Sequence, residues 1–197
     1  MKKLIFILSS LWVVTLLPAQ EITVNGKLTN YILYSSLEIY KIGDPTGKKD
    51  AIKIDQLHID SKFEKLTGKQ YKKDVIHNDM SYSRNFERVS IPGLVLNLPE
   101  DKRSRDVEFT LTTPEYHIIL ENGQELYVGM SADQFSTIFP LSWADRSTVT
   151  ADNGKYELGV LLAFKQNGEI LATDEIIYLV FDKKTLKVER ISYHIRP

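Results

Sequence analysis

Tyr156-Glu157-Leu158-Gly159-Val160-Leu161-Leu162-Ala163-Phe164-Lys165 decides the fold class. Tyr156, Leu158, Val160, Leu162 and Phe164 recur at every second residue, the period of an extended strand with one buried face. The other face, Glu157, Gly159, Leu161, Ala163 and Lys165, is mixed. Ile176-Ile177-Tyr178-Leu179-Val180-Phe181 is apolar throughout and of strand length, which suits a central strand covered on both sides. Val107, Phe109 and Leu111 alternate, as do Tyr116, Ile118 and Leu120.

Asn-Gly pairs punctuate these runs at Asn25-Gly26, Asn122-Gly123, Asn153-Gly154 and Asn167-Gly168. Both residue types tolerate the positive φ of tight hairpin turns, so each pair predicts a reversal. The clearest hairpin runs from Tyr116 to Leu120, turns through Glu121-Asn122-Gly123-Gln124 and returns from Glu125 to Val128. Asp182-Lys183-Lys184-Thr185 is expected to join the last two strands. In the last one Leu186 and Val188 have one parity, while Ile191, Tyr193 and Ile195 have the other. Either one extra residue near Glu189-Arg190 forms a β-bulge, or the two ends of the strand are buried on opposite sides.

Helix signals are few. Ser131 and Gln134 fit a capping box, Asp133 suits the first turn, and Phe135, Ile138 and Phe139 share a face. Pro140 is read as the end of that helix, with no second helix evident before Lys155. A shorter helix starting at Asp60 or Ser61 presents Phe63 and Leu66. From Gly68 to Pro92 the chain is polar, a long loop or a set of edge elements, with Tyr71, Tyr82 and Phe86 as anchors.

Leu57-His58-Ile59-Asp60, followed by Phe63 and Leu66, parallels Leu126-Tyr127-Val128-Gly129, followed by Phe135 and Ile138. Each stretch leads to a Gly opening an apolar run, at Gly93 and Gly159. The pattern raises two readings, a tandem supersecondary unit or a coincidence between two β-rich segments.

The stretch from Leu126-Tyr127-Val128-Gly129-Met130-Ser131 through Ile138-Phe139-Pro140 resembles the strand, Gly-Met-Ser/Thr, helix, Pro entry of the small outer-membrane assembly lipoprotein family. That family shares its architecture with the β-lactamase inhibitor protein. The resemblance covers Glu125 to Ile195 and implies a helical element followed by an antiparallel sheet, sometimes in tandem. Phe139 stands where the family has Gly, and the family's lipidated Cys is missing. The expected fold is therefore α+β and β-dominated: an antiparallel sheet with short packed helices, in one or two inhibitor-protein-like units. The expected divisions are a signal peptide over 1–19, a β-rich unit over 20–122 and a helix-plus-sheet unit over 123–197.

Met1-Lys2-Lys3 precedes an uncharged stretch from Leu4 to Leu17, then Pro18-Ala19-Gln20. Charged start, apolar middle and small-residue exit are the plan of a secretory signal peptide, and the stretch resembles those of exported Gram-negative proteins. Leu4–Leu17 is shorter than the roughly 20 residues a membrane span needs, although an uncleaved anchor is the alternative. Cleavage after Ala19 would deliver a periplasmic or secreted protein with no integral membrane segment. With no Cys in the chain there can be no lipid anchor on Cys, no disulfide and no thiol chemistry. Removing Lys2 and Lys3 from 25 basic residues leaves 23 against 26 acidic ones, a net charge of −3. That balance argues against a nucleic-acid partner. The lysines between Lys41 and Lys73 are interleaved with acids and read as a solvated face.

No sequence motif calls for a catalytic centre, a metal or a cofactor. His58, His77, His117 and His194 do not pair at ligand spacing; His117 and His194 fall in strands and read as structural. His58-Ile59-Asp60 and His77-Asn78-Asp79 offer two ligands each, too few for a metal site. Ser81 and Ser83 lie near His77 and Asp79, but triads are assembled across a fold. Asp44-Pro45-Thr46-Gly47 and Asp152-Asn153-Gly154 read as turns. The expected function is non-enzymatic binding of an envelope or extracellular protein, with Phe139 and Trp143 as candidate contacts; Trp143 alternatively covers the end of the sheet. A ligand- or carbohydrate-binding β-rich protein is the alternative, and a hydrolase with an unrecognised carboxylate pair a third reading. Export predicts that Edman sequencing of the secreted or periplasmic protein starts at Gln20; a chain starting at Met1 would contradict it.

Overall fold

A computed structural model describes residues 20–42, 50–57, 61–68, 71–76, 86–101, 107–148 and 154–194. The two runs that decide the fold class form its longest hairpin. β11 (Lys155–Gln166) pairs antiparallel with β12 (Glu169–Asp182), Leu158 opposite Leu179 and Val160 opposite Ile177. Asn167 and Gly168 turn between them at φ 51° and 87°, as the Asn-Gly pair predicts. β13 (Val188–Tyr193) follows. Val180 faces Arg190 and Phe181 faces Val188, so Glu189 is the extra residue of a bulge. The bulge restores one parity, and Val188, Ile191 and Tyr193 are all buried.

The first half of the chain builds a matching meander from β5 (Lys72–Ile76), β6 (Phe86–Ile91), β7 (Leu94–Pro99) and β8 (Glu108–Leu111). Within the polar segment after Gly68, the described residues include β5, the outermost strand, and β6, paired between β5 and β7; residues 69–70 and 77–85 lie outside the described residues. β8 then pairs antiparallel with β13, Phe109 opposite Tyr193 and Leu111 opposite Ile191. At the far side, β1 (Glu21–Val24) and β2 (Lys27–Leu33) form the Asn25-Gly26 hairpin. β2 runs parallel to β11, with Tyr31 opposite Leu161, and completes a nine-stranded sheet in the order β1-β2-β11-β12-β13-β8-β7-β6-β5. This one parallel pair departs from the all-antiparallel expectation. A parallel neighbour needs a long crossover, and the whole chain between the two strands provides it.

A second sheet lies in the order β10-β9-β3-β4, built from β3 (Glu38–Lys41), β4 (Ile52–Lys53), β9 (Tyr116–Ile119) and β10 (Glu125–Tyr127). The β9–β10 hairpin is the one read from Asn122-Gly123. Three short helices complete the layer: α1 (Ser61–Thr67), α2 (Ala132–Ile138) and α3 (Pro140–Ala144). Gly129 turns at φ 97° and Ser131 closes the capping box with Gln134. α3 corrects the sequence reading. Pro140 stops α2 but also opens a second helix, since a first-turn Pro lacks only an N–H that would have no helical partner. The N–H groups of Leu141 and Ser142 are instead met by Asn30 Oδ1, at 2.9 and 3.2 Å. Asn30 is fully buried, so β2 caps α3 from across the core.

The order hairpin, helix, meander thus occurs twice: β3-β4-α1-β5 to β8, then β9-β10-α2-α3-β11 to β13. Equivalent strands meet antiparallel at both contacts, β3 with β9 and β8 with β13. The Gly-to-Gly correspondence read from sequence does not hold. Gly93 sits in the β6–β7 turn at φ 81°, whereas Gly159 lies inside β11. The boundary between residues 122 and 123 falls in the β9–β10 turn. Buried residues from both sides of it, including Phe63, Leu96 and Phe109 with Phe135, Leu158 and Phe181, form one cluster. Asn30→Ala is expected to lower unfolding free energy by about 1–3 kcal/mol, because one buried and one half-buried N–H group lose their acceptor. Urea denaturation checks this, and a loss below about 0.5 kcal/mol would contradict it.

Candidate binding site

The small sheet alternates its side chains. Ile39, Ile118 and Leu126 face the core, which leaves Tyr40, His117 and Tyr127 together on the other face. Register sets them in a row, Tyr40 opposite His117 and His117 opposite Tyr127. The imidazole lies flat on Tyr127, with centroids 4.4 Å apart and planes 9° apart, and meets Tyr40 edge-on at 5.5 Å. Glu125 Oε2 accepts from the Tyr40 hydroxyl at 2.9 Å and from His117 Nδ1 at 2.6 Å. A carboxylate partner places the proton on Nδ1. Burial, then the Glu125 hydrogen bond and its charge, push the Tyr40 phenol up to about 12.

Beside this network, between β10 and α2, runs an open groove of about 420 Å³. Tyr127 joins the two features, donating its hydroxyl to Gln134 Oε1 at 3.3 Å. Met130 and Ile138 give the groove apolar surface; Gln124, Glu125, Asp133, Gln134 and Thr137 give it amides, carboxylates and a hydroxyl. No basic side chain among the described residues lines it. Among the described residues the His117 ring bonds to no Ser or Thr hydroxyl, and no three His, Asp or Glu side chains gather as metal ligands. The arrangement is suited to holding a polar ligand.

The outer face of the nine-stranded sheet is a second surface. The helices and the small sheet share one cluster with its inner face. The cluster on the outer face draws only on the large sheet itself: Tyr31, Leu33 and Ala163, flanked by Ile22, Leu161 and Ile170. From there a continuous row, Gly159, Tyr178, Ser192, Thr110, Val95, Ser90 and Lys72, crosses seven strands. A polar ladder runs alongside it. Asn97 Nδ2 donates to Glu108 Oε2 at 2.6 Å and Arg88 Nε to Asn97 Oδ1 at 3.0 Å.

The two contact residues read from sequence sit elsewhere. Phe139 has no exposed area, because the α2–α3 corner turns its ring inward onto Phe135. Trp143 packs in part against Phe135 and Phe181 under Arg146, the sheet-end covering that was its alternative. His117 sits in its strand as read, and His194, just past β13, lies 3.5 Å from Glu108. The signal peptide, His58, Ile59, Asp60, His77, Asn78, Asp79, Ser81, Tyr82, Ser83 and Asp44-Pro45-Thr46-Gly47 lie outside the described residues. So do Asp152, Asn153 and Ile195. Comparison with protein families, curated proteins and solved structures finds no match. No helix among the described residues is long and apolar enough to cross a membrane.

Tyr116, buried near Glu115, is also raised to about 12. Both phenols lie above their ordinary value of 10.0, so below about pH 10 their contribution to stability is complete. Between about pH 10 and 12 the unfolded chain ionises first, and stability falls. Tyr31, raised by burial and then by Glu121, adds to the fall, and Tyr40→Phe is expected to remove part of it, read from denaturant midpoints across the range. An unchanged slope in the variant would contradict the assignment.

Proposed function

We propose that this chain is an exported binding protein that engages a folded envelope or extracellular protein through the outer face of its nine-stranded sheet. The observation that carries the reading is one-sided layering: every described helix and the small sheet pack on one face of the large sheet. Nine strands at about 4.8 Å spacing make a face about 40 Å wide. Six residues of strand add about 20 Å, which matches the roughly 800 Å² each partner gives to a standard interface. Tyr178 and Ile176, both half-buried, offer the aromatic and apolar anchors such contacts use. The twofold repetition of hairpin, helix and meander supports the resemblance to the β-lactamase inhibitor architecture, and α3 supplies the second helix that the sequence had left out. Fold likeness carries no partner identity. No described catalytic set accompanies the surface, so contact rather than chemistry is the proposed action.

The test is affinity capture from envelope extract followed by titration of the captured protein. Wild type and Thr137→Arg, a groove variant, should retain the same protein. Tyr178→Ala should bind it at least about 10-fold more weakly. Capture of nothing, or equal binding by Tyr178→Ala, would sink the reading. A ligand-binding protein is the second reading, favoured by the groove between β10 and α2.

A further inference from the structure

The groove between β10 and α2 holds polar groups in a pattern that selects among ligand classes. Gln124 Nε2 is buried there with no hydrogen-bond partner among the described residues. A buried amide donor without an acceptor is costly unless a ligand or water supplies one. Gln134 spends its Oε1 on the Ser131 N–H at 2.9 Å and on the Tyr127 hydroxyl, which leaves its Nε2 as a donor. Asp133, exposed on the first turn of α2, is an acceptor. Thr137 donates to the Asp133 carbonyl at 2.9 Å, so its oxygen has lone pairs to offer. The groove therefore offers both donors and acceptors. Tyr127 adds an aromatic ring fixed by its stack on His117, and Met130 and Ile138 add apolar surface.

Anions find no basic side chain among the described residues lining this site. A bare cation would satisfy the carboxylates but set its charge against the amide donor of Gln124. An apolar ligand would leave that donor unmet. A sugar ring meets all the constraints at once: each hydroxyl both donates and accepts, and one ring face is made of C–H groups that pack on an aromatic. A volume of about 420 Å³ falls within the range of small-molecule sites. We propose that the groove is a saccharide subsite for a neutral hexose-sized unit, with Tyr127 as the stacking platform and Gln124, Asp133 and Gln134 as its hydrogen-bonding partners. The site lies on the helix side of the large sheet, away from the proposed protein-contact face, and stands or falls separately from it.

The test is an NMR titration of the isotope-labelled full chain. Its probes are methyl β-D-glucopyranoside, methyl α-D-mannopyranoside and N-acetyl-D-glucosamine, with lysine amide and inorganic phosphate as charged controls. At least one sugar should shift the backbone amides of Gln124, Tyr127 and Gln134 saturably, at millimolar affinity, while neither charged control does. Gln124→Ala, a change at a half-buried position beside the β9–β10 turn, should keep the wild-type spectrum elsewhere and weaken that sugar at least fivefold. Tyr127→Phe, which keeps the ring, should stay within threefold of wild type, and Tyr127→Ala should lose at least tenfold. Overturning results are no groove shifts with any of the three sugars, saturation by lysine amide or phosphate instead, or sugar binding indifferent to Gln124→Ala.

Discussion

Antiparallel pairing of β13 with β8 is the contact on which the rest of the structure depends. Only three residue pairs make it, Phe109–Tyr193, Thr110–Ser192 and Leu111–Ile191, yet it joins two meanders into one sheet. A single-residue slip would carry Phe109 and Leu111 to the outer face, so burial of these side chains fixes the register. The Glu189 bulge belongs to the same constraint. It lets β13 follow β12 with Val188 inward at one end and present Ile191 and Tyr193 inward to β8 at the other. The β3–β9 pair repeats the arrangement in the second layer, with Ile39 opposite Ile118.

Once the two sheets are each joined at their centres, one core between them must serve both halves. Tyr34 shows the consequence. Its hydroxyl, from a turn after β2, bonds the Val107 backbone before β8, and its ring packs on Phe164 and Tyr193. Asn30 ties the β2 side of the sheet to α3 in the same manner. Filling the inner face so completely puts all described helices on one side. The outer face keeps small and polar side chains along its middle, and the row Ser192, Thr110, Val95 and Ser90 presents little bulk. Both proposed surfaces follow from this asymmetry: a broad one where no described layer packs, and a narrow one where the second layer leaves a gap between its edge strand β10 and α2.

Strand content and turns were legible in the sequence because they rest on local rules. Alternation at Tyr156–Phe164, the Asn-Gly pairs at 25–26, 122–123 and 167–168, the Ser131 capping box and the parity break near Glu189 each depend on residues close in the chain. The Asn122-Gly123 turn placed β9 beside β10, but the turn as read sets His117 opposite Val128; the loop closes one residue earlier, at Leu120 and Gln124, and brings Tyr127 opposite His117 instead. Tyr40 was out of reach because it arrives from about 80 residues away through the β3–β9 pairing. Phe139 is buried with Phe135 and Ile138, as the shared helix face implied, and the contact role also given to it does not fit that burial. Ile176–Phe181 was read as covered on both sides. Ile177, Leu179 and Phe181 do face the core and Val180 is buried on the other side, but Ile176 and Tyr178 are only half-buried on the face where no described layer packs.

Two halves sharing a single core should unfold as one. Native-state hydrogen exchange under increasing urea tests this directly, by comparing the Leu96 amide in β7 with the Leu179 amide in β12. The account predicts that both reach the same opening free energy with the same urea dependence, that of global unfolding. Exchange of Leu96 through a separate, lower-energy opening while Leu179 stays protected would contradict it.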